Sequence, residues 1–209
     1  MIEIECFSKN IKKVSILRDI NMTLKKGMIY GIQGENGSGK TMLLRAICGL
    51  IKGSSGTIKI NGKIIGKDIS FPEDIGILIE NPAFINKYTG FKNLKLIADI
   101  QGKVKKDEIR EVLKSVGLNP DDHRTYKKYS LGMKQRLGIA CAVMGTPEIV
   151  LLDEPFNALD QNGIQLISDL IISLKNKNCL IIIACHDKEQ LEYLSDEIFI
   201  MSDGRLNKL

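Results

Sequence analysis

The chain has 209 residues, 44% of them hydrophobic, which suits one domain with a substantial core. Its 30 basic and 25 acidic residues leave a net charge of +5 with no dominant basic block, compatible with phosphate ligands or an anionic membrane surface and giving no sign of nucleic-acid binding. The five cysteines (Cys6, Cys48, Cys141, Cys179, Cys185) form no CxxC pair, so neither a disulfide framework nor a zinc site is expected, and a reducing cytosol fits. No signal peptide is visible, and no apolar run approaches the ~18 residues of a membrane span.

Residues 2–7 alternate apolar and charged and predict a half-exposed strand. Residues 20–24 alternate likewise before Lys25-Lys26-Gly27. Met28 to Gln33 reads as a short apolar strand. It runs into Gly34, Glu35, Asn36, Gly37, Ser38, Gly39, Lys40 and Thr41, which fit the phosphate-binding pattern G-x-x-x-x-G-K-[ST]. The glycines let main-chain N–H groups converge on one point. Lys40 brings a positive charge to β- and γ-phosphates, and the Thr41 hydroxyl suits Mg²⁺. Met42 to Cys48 predicts a helix stopped by Gly49, whose N-terminus favours an anion. The alternative is a glycine turn that only joins strand to helix. The register of Lys40 and Thr41 and the flanking elements weigh against it.

Residues 56–62 predict a strand entering a hairpin through Asn61-Gly62. With the two earlier alternating patches it forms a small antiparallel sheet. Ile75 to Glu80 is a further strand, ended by Asn81-Pro82. From about 82 to 144 the pattern turns helical. Ile109, Val112, Leu113 and Val116 share one face before Gly117, residues 119–124 form a polar turn, and Leu137 to Met144 is an apolar helix. Phe84, Ile85, Tyr88 and Phe91 are either a docking surface or the core of this lobe. Ile149 to Leu152 reads as a strand buried on both faces. A helix carrying Ile164, Ile167, Ile171 and Leu174 follows, then a strand at 180–184, a helix at 190–194, a strand at 197–201 and a turn at Asp203-Gly204. Alternating strands and helices imply an α/β, doubly wound, mostly parallel sheet.

Asp153 and Glu154 emerge at the carboxyl end of a buried strand, where such sheets place ligands. Beside a phosphate loop the first acid holds Mg²⁺ and the second accepts a proton from water. His186 ends the next buried strand and is positioned to hold that water or bond the phosphate. A solvated strand end and a structural histidine are the plainer alternatives.

The order of phosphate loop, helical lobe, Tyr129-Ser130-Leu131-Gly132-Met133-Lys134-Gln135-Arg136, acidic strand end, Ala158-Leu159-Asp160 and His186 resembles the ATP-binding cassette (ABC) family over essentially the whole chain. The resemblance implies a P-loop NTPase (ABC ATPase) core with a mostly parallel sheet, an N-terminal antiparallel β subdomain and an inserted helical subdomain. It implies one ABC ATP-binding domain over 1–209. Two cassettes would face head to tail, with ATP and Mg²⁺ between the phosphate loop (Gly34 to Met42) of one and Ser130 and Gly132 of the other, near Asp160. The implied catalytic residues are Glu154, His186 and Lys40, and the implied metal residues are Thr41, Glu80 and Asp153.

Three departures stand out. Leu131 replaces a usual glycine, at a cost of about 1 kcal/mol if that position needs positive φ. Glu80 stands where the family usually has glutamine, so it accepts hydrogen bonds without donating. Ile11 falls where an aromatic usually stacks on adenine, with Phe7 as the other candidate. Glu80, with Ile-Glu-Asn-Pro-Ala-Phe and Tyr-Ser-Leu-Gly-Met-Lys-Gln, resembles the subgroup linked to bacitracin resistance and lantibiotic immunity. The expectation is an ATPase subunit that drives a separate integral membrane permease, pairs with a second copy or a paralogue, exports a peptide antibiotic or bacteriocin, and binds no nucleic acid. It would be cytoplasmic, peripheral on the inner face of the cell membrane. The alternatives are a non-transport cassette acting on nucleic acid or the ribosome, and a regulatory nucleotide-binding module.

Overall fold

Two sheets carry the chain in the computed structural model, which describes residues 1–80 and 83–209. Along the sequence run β1 (Ile2–Ile11), β2 (Val14–Leu24), β3 (Ile29–Gln33), α1 (Lys40–Ile47), β4 (Ser55–Ile60), β5 (Lys63–Ile64), β6 (Ile75–Leu78), α2 (Gly90–Gln101) and α3 (Lys106–Ser115). Then come α4 (Leu131–Val143), β7 (Ile149–Asp153), α5 (Gln161–Asn176), β8 (Leu180–Cys185), α6 (Lys188–Leu194), β9 (Glu197–Ser202) and β10 (Arg205–Lys208). Asn81 and Pro82, expected to end a strand and open the lobe, lie outside the described residues.

The first sheet has the order β2-β1-β4-β5 and is antiparallel throughout. Ile2, Ile4 and Phe7 are all buried although their spacing breaks period two. A bulge reconciles them: Cys6 has φ 49°, and the pairing of β1 with both neighbours shifts register there, which rephases Phe7 into the core. Asn61 (φ 48°) and Gly62 (φ 80°) make the expected tight turn, and β5 returns two residues of pairing.

The second sheet has the order β10-β9-β3-β8-β7-β6, with all neighbours parallel except β10. Every residue of β7 and β8 is buried, as a sheet covered on both faces requires. β10 is an addition to the expected strands. Asp203 (φ 48°) and Gly204 (φ 75°) reverse the chain so that Arg205 pairs with Ser202.

Between β6 and β7, α2 and α3 pack on each other while α4 returns to the sheet against β6 and β7. That return is tight: a Cβ on Gly76 would sit 1.6 Å from the Ala142 carbonyl oxygen. One hydrophobic cluster therefore runs from Leu94, Ile109 and Leu113 to Val150 and Ile181. Phe84 and Phe91 pack against it, and Phe84 meets Tyr126 edge-on at 5.3 Å, whereas Ile85 stays exposed. The aromatic pair thus serves the lobe's own core. Among the described residues no helix is long and apolar enough to cross a membrane.

Candidate functional site

The parallel register brings the carboxyl ends of β3, β7 and β8 to one edge, and a cavity of about 530 Å³ opens there. Its lining includes Glu35, Asn36, Gly37, Gly39, Lys40, Thr41 and Met42 from the phosphate-loop segment. Asp153 ends β7 and Glu154 follows it into the cavity, and Glu80, Gln135, Asn157 and Ile16 complete it. Gly39, with φ 114°, turns the loop into α1 in a conformation that a side chain would strain.

Lys40 is only 5% exposed. Its ammonium donates to the carbonyls of Gly34 (2.6 Å) and Glu35 (3.1 Å) and lies 3.6 Å from Glu154 Oε1. Thr41 Oγ1 donates to Asp153 Oδ2 at 2.6 Å. Asp153 Oδ1, Glu154 Oε1 and Ser38 Oγ are buried without a hydrogen-bond partner. Burial pushes the Asp153 carboxyl up; the charges of Glu154 and Glu80 add to this, against the Thr41 hydrogen bond and the Lys40 charge. Buried polar atoms are normally paired, so these oxygens mark a place for a ligand. The nearby set is all oxygen (a hydroxyl and carboxylates), which fits a hard cation such as Mg²⁺.

His186, with its side chain 58% exposed, holds Glu154 from the other side, Nδ1 to Oε2 at 2.8 Å. Glu154 itself adopts φ 48°, a conformation rare for a side-chain-bearing residue, and its N–H donates to Ala184 O. Gln135 of α4 donates its amide to the carbonyls of Glu154 (2.9 Å) and Pro155 (3.2 Å). The peptide behind the acidic pair is thereby strapped to the helix that follows Ser130. Glu80 is not a bare charge: Arg45 of α1 donates to its Oε1 at 2.6 Å.

Several expected residues lie apart from this cavity: Gly34, Ser38 and His186 line another of about 590 Å³ that shares Glu35, Asn36 and Gly37, and three more serve helix ends and packing. Ser130 caps α4 by accepting the Met133 N–H, Gly132 lets α4 approach the Ala158 carbonyl, where a Cβ would come within 2.7 Å, and Asp160 caps α5 by accepting the Gly163 N–H. None of the three lines the Lys40 cavity. Leu131 is the first residue of α4 and is absent from the positive-φ positions, so the expected glycine penalty does not arise. Ile11, the expected adenine neighbour, is 45% exposed at the end of β1 and outside the cavity lining, which Ile16 of β2 joins. Phe7 is buried in the first sheet's core. Sequence reasoning also missed Arg45, Gln135 and Asn157. Gln135 carried a signal, standing five residues after the Ser130 cap on the face that turns back to the sheet; Arg45 and Asn157 carried none.

The sequence profile described as "ABC transporter" matches residues 17–157. The chain is 44% identical over 206 residues to YybJ of Bacillus subtilis (strain 168), an uncharacterized ABC transporter ATP-binding protein, covering 99% of this chain and 94% of that one. It is 36% identical over 208 residues to the bacitracin transport ATP-binding protein BcrA of Enterococcus faecalis, covering 99% of this chain and 68% of that one. The lantibiotic transport ATP-binding protein SrtF of Streptococcus pyogenes is 35% identical over 207 residues, with 99% and 89% covered. The fold superposes on dimeric MJ0796, a bacterial ABC transporter cassette, with TM-score 0.87 and 25% identity over 100% of this chain and 99% of that one. With the matched profile, near-full-length relatives and a phosphate loop facing two strand-end carboxylates, the chain belongs to the ABC transporter family as an ATP-binding, ATP-hydrolysing subunit.

Proposed function

We propose that this subunit binds ATP with Mg²⁺, pairs with a second cassette and powers a membrane permease that exports a peptide antibiotic of the bacitracin or lantibiotic kind. The observation that carries the chemistry is the cavity in which Lys40, the Thr41–Asp153 pair and Glu154 meet, with His186 bonded to Glu154 from outside it. Lys40 exchanges its loop-carbonyl contacts for phosphate oxygens, and the loop N–H groups share the charge. Thr41, Asp153 and Glu80 would hold Mg²⁺, which when bound neutralises charge on the phosphates. Glu154 Oε1, free of a hydrogen-bond partner, takes the proton of the attacking water. His186 fixes the carboxylate by occupying Oε2.

Ser130, Gly132 and Asp160 act in trans, at the cavity of the second cassette. A helix N-terminus leaves its first N–H groups without intrahelical partners, and the N-terminus of α4, with Ser130 and Leu131 exposed, offers such groups to a γ-phosphate. The glutamate at position 80 and the kinship with bacitracin and lantibiotic transport proteins support the substrate class. Co-purification from membranes tests the reading. Recovery with a hydrophobic permease, and tolerance to bacitracin or a lantibiotic that depends on Lys40, supports it. Recovery only in the soluble fraction with nucleic acid bound favours the non-transport alternative.

A further inference from the structure

Cysteine spacing along the chain gives no hint of a metal site, because a site built from one thiol and two other residue types leaves no CxxC. The fold nevertheless brings such a set of residues together. Glu154 follows β7, Cys185 ends β8 and His186 follows it, and one ligand atom from each lies within 4.8 Å of the other two. We propose that Glu154, Cys185 and His186 form a binding site for a thiophilic divalent cation, Zn²⁺ foremost, whose occupancy switches hydrolysis off.

The ligand set is a carboxylate oxygen, a sulfur and an imidazole nitrogen, three protein ligands with a fourth position open. Thiolate and imidazole select zinc over magnesium, which prefers oxygen. Tetrahedral bonds of about 2.0–2.3 Å place ligand atoms roughly 3.3–3.8 Å apart. The 2.8 Å contact between His186 Nδ1 and Glu154 Oε2 must therefore widen, which the exposed imidazole permits by rotation. Sulfur closes in from the buried side, where Cys185 is 2% exposed and already accepts the Asp187 N–H at 3.3 Å. That N–H supports negative charge on sulfur. Burial pushes the Cys185 thiol up to about 12, with the Glu154 charge adding to it, so the free protein carries a neutral thiol there. On binding, the S–H proton leaves to water and a metal–sulfur bond replaces it, with no change of oxidation state.

Inhibition follows because the metal takes the carboxylate that would accept a proton from water. This half rests on the role proposed for Glu154; metal binding does not. The binding test titrates Cd²⁺, as a spectroscopic stand-in for Zn²⁺, into the full chain carrying Cys6→Ser, which removes the exposed thiol. The expected result is an ultraviolet thiolate–metal absorption that saturates at one equivalent and is lost when Cys185→Ser is added. His186→Ala, at an exposed position, weakens the same signal and serves if the buried substitution fails to fold. An absent signal, or one that survives both substitutions, overturns the site. In parallel, Zn²⁺ is titrated in excess Mg²⁺–ATP, with each protein's turnover scaled to its own zinc-free rate. Cys185→Ser should raise the inhibitory Zn²⁺ concentration at least tenfold. Equal sensitivity overturns the switch. Were the protein to hydrolyse no ATP, the Cd²⁺ signal would decide the site by itself, and only the hydrolytic reading would fall.

Discussion

Glu154→Gln isolates proton acceptance from everything else the site does. The substitution keeps the side chain's volume, and its amide oxygen can still accept from His186 Nδ1 in place of Oε2. The amide nitrogen then falls where Oε1 stood, 3.6 Å from the Lys40 ammonium in the native protein, so two donors face each other and no acceptor remains for water. The flipped amide restores an acceptor there but loses the bond that orients it, and an amide is a far weaker base in either pose. A positioned general base contributes about 10²–10⁴-fold, or roughly 2.7–5.5 kcal/mol of barrier. Lys40 retains the Gly34 and Glu35 carbonyls, so the loop keeps its shape for binding. Phosphate release under saturating Mg²⁺–ATP measures turnover, and equilibrium binding of ATP by the same preparation measures affinity. The expected outcome is binding close to wild type with turnover lower by about 10²–10⁴-fold. Turnover within a few-fold of wild type would refute Glu154 as the base. Binding lost in step with turnover would refute the separation of the two roles.

Asp153→Asn should raise the melting temperature at neutral pH in nucleotide-free buffer while abolishing Mg²⁺-dependent turnover, because the native fold buries this carboxylate with Oδ1 unpaired. An acid raised in the folded state costs stability above its folded value, and the cost fades as pH falls through that value toward the ordinary aspartate range, so the gain must shrink on acidification; a lower melting temperature at pH 7 contradicts this. Ile16→Ala should weaken ATP binding about fivefold, roughly 1 kcal/mol of lost apolar contact, with Ile11→Ala neutral; the reverse order in a binding titration would restore Ile11. Gly76→Ala forces α4 off β6, since the added methyl meets a backbone oxygen, at a cost on the order of 3 kcal/mol and about 6–12 °C of thermal midpoint. Arg45→Met should leave that midpoint within about 2–4 °C, as expected for a partly exposed pair. It should lower the Mg²⁺ concentration for half-maximal turnover by freeing Glu80, and an unchanged requirement would count against a metal role for Glu80.

What the sequence made legible was local. The phosphate loop, the Asp153-Glu154 strand end and the Asn61-Gly62 hairpin are each contiguous, and each carries its chemistry in residue type and order. Ile16 was harder because β1 and β2 slip register at several points, so counting along the chain misjudges which side chains reach the cavity. β10 has one apolar residue among Arg-Leu-Asn-Lys and therefore shows no periodicity to find. The apolar run from Leu137 was legible as helix, and the Ser130 cap starts that same helix at Leu131. Arg45 and Glu80 are 35 residues apart, and only the fold, with α1 against β7 and β6 paired beside β7, joins them.

The Gln135 strap carries a consequence for how two catalytic centres would communicate. Its helix touches the Ala158 carbonyl through Gly132 and grips the Glu154 and Pro155 carbonyls through its amide, so one helix bears on both ends of the segment from Glu154 to Ala158. In a head-to-tail pair, the tip of that helix would press on the neighbour's nucleotide while its shaft holds its own subunit's base. Occupancy of one chamber would then be felt as tilt in the other, and loss of the glutamine amide should leave each chamber working while erasing cooperativity between them.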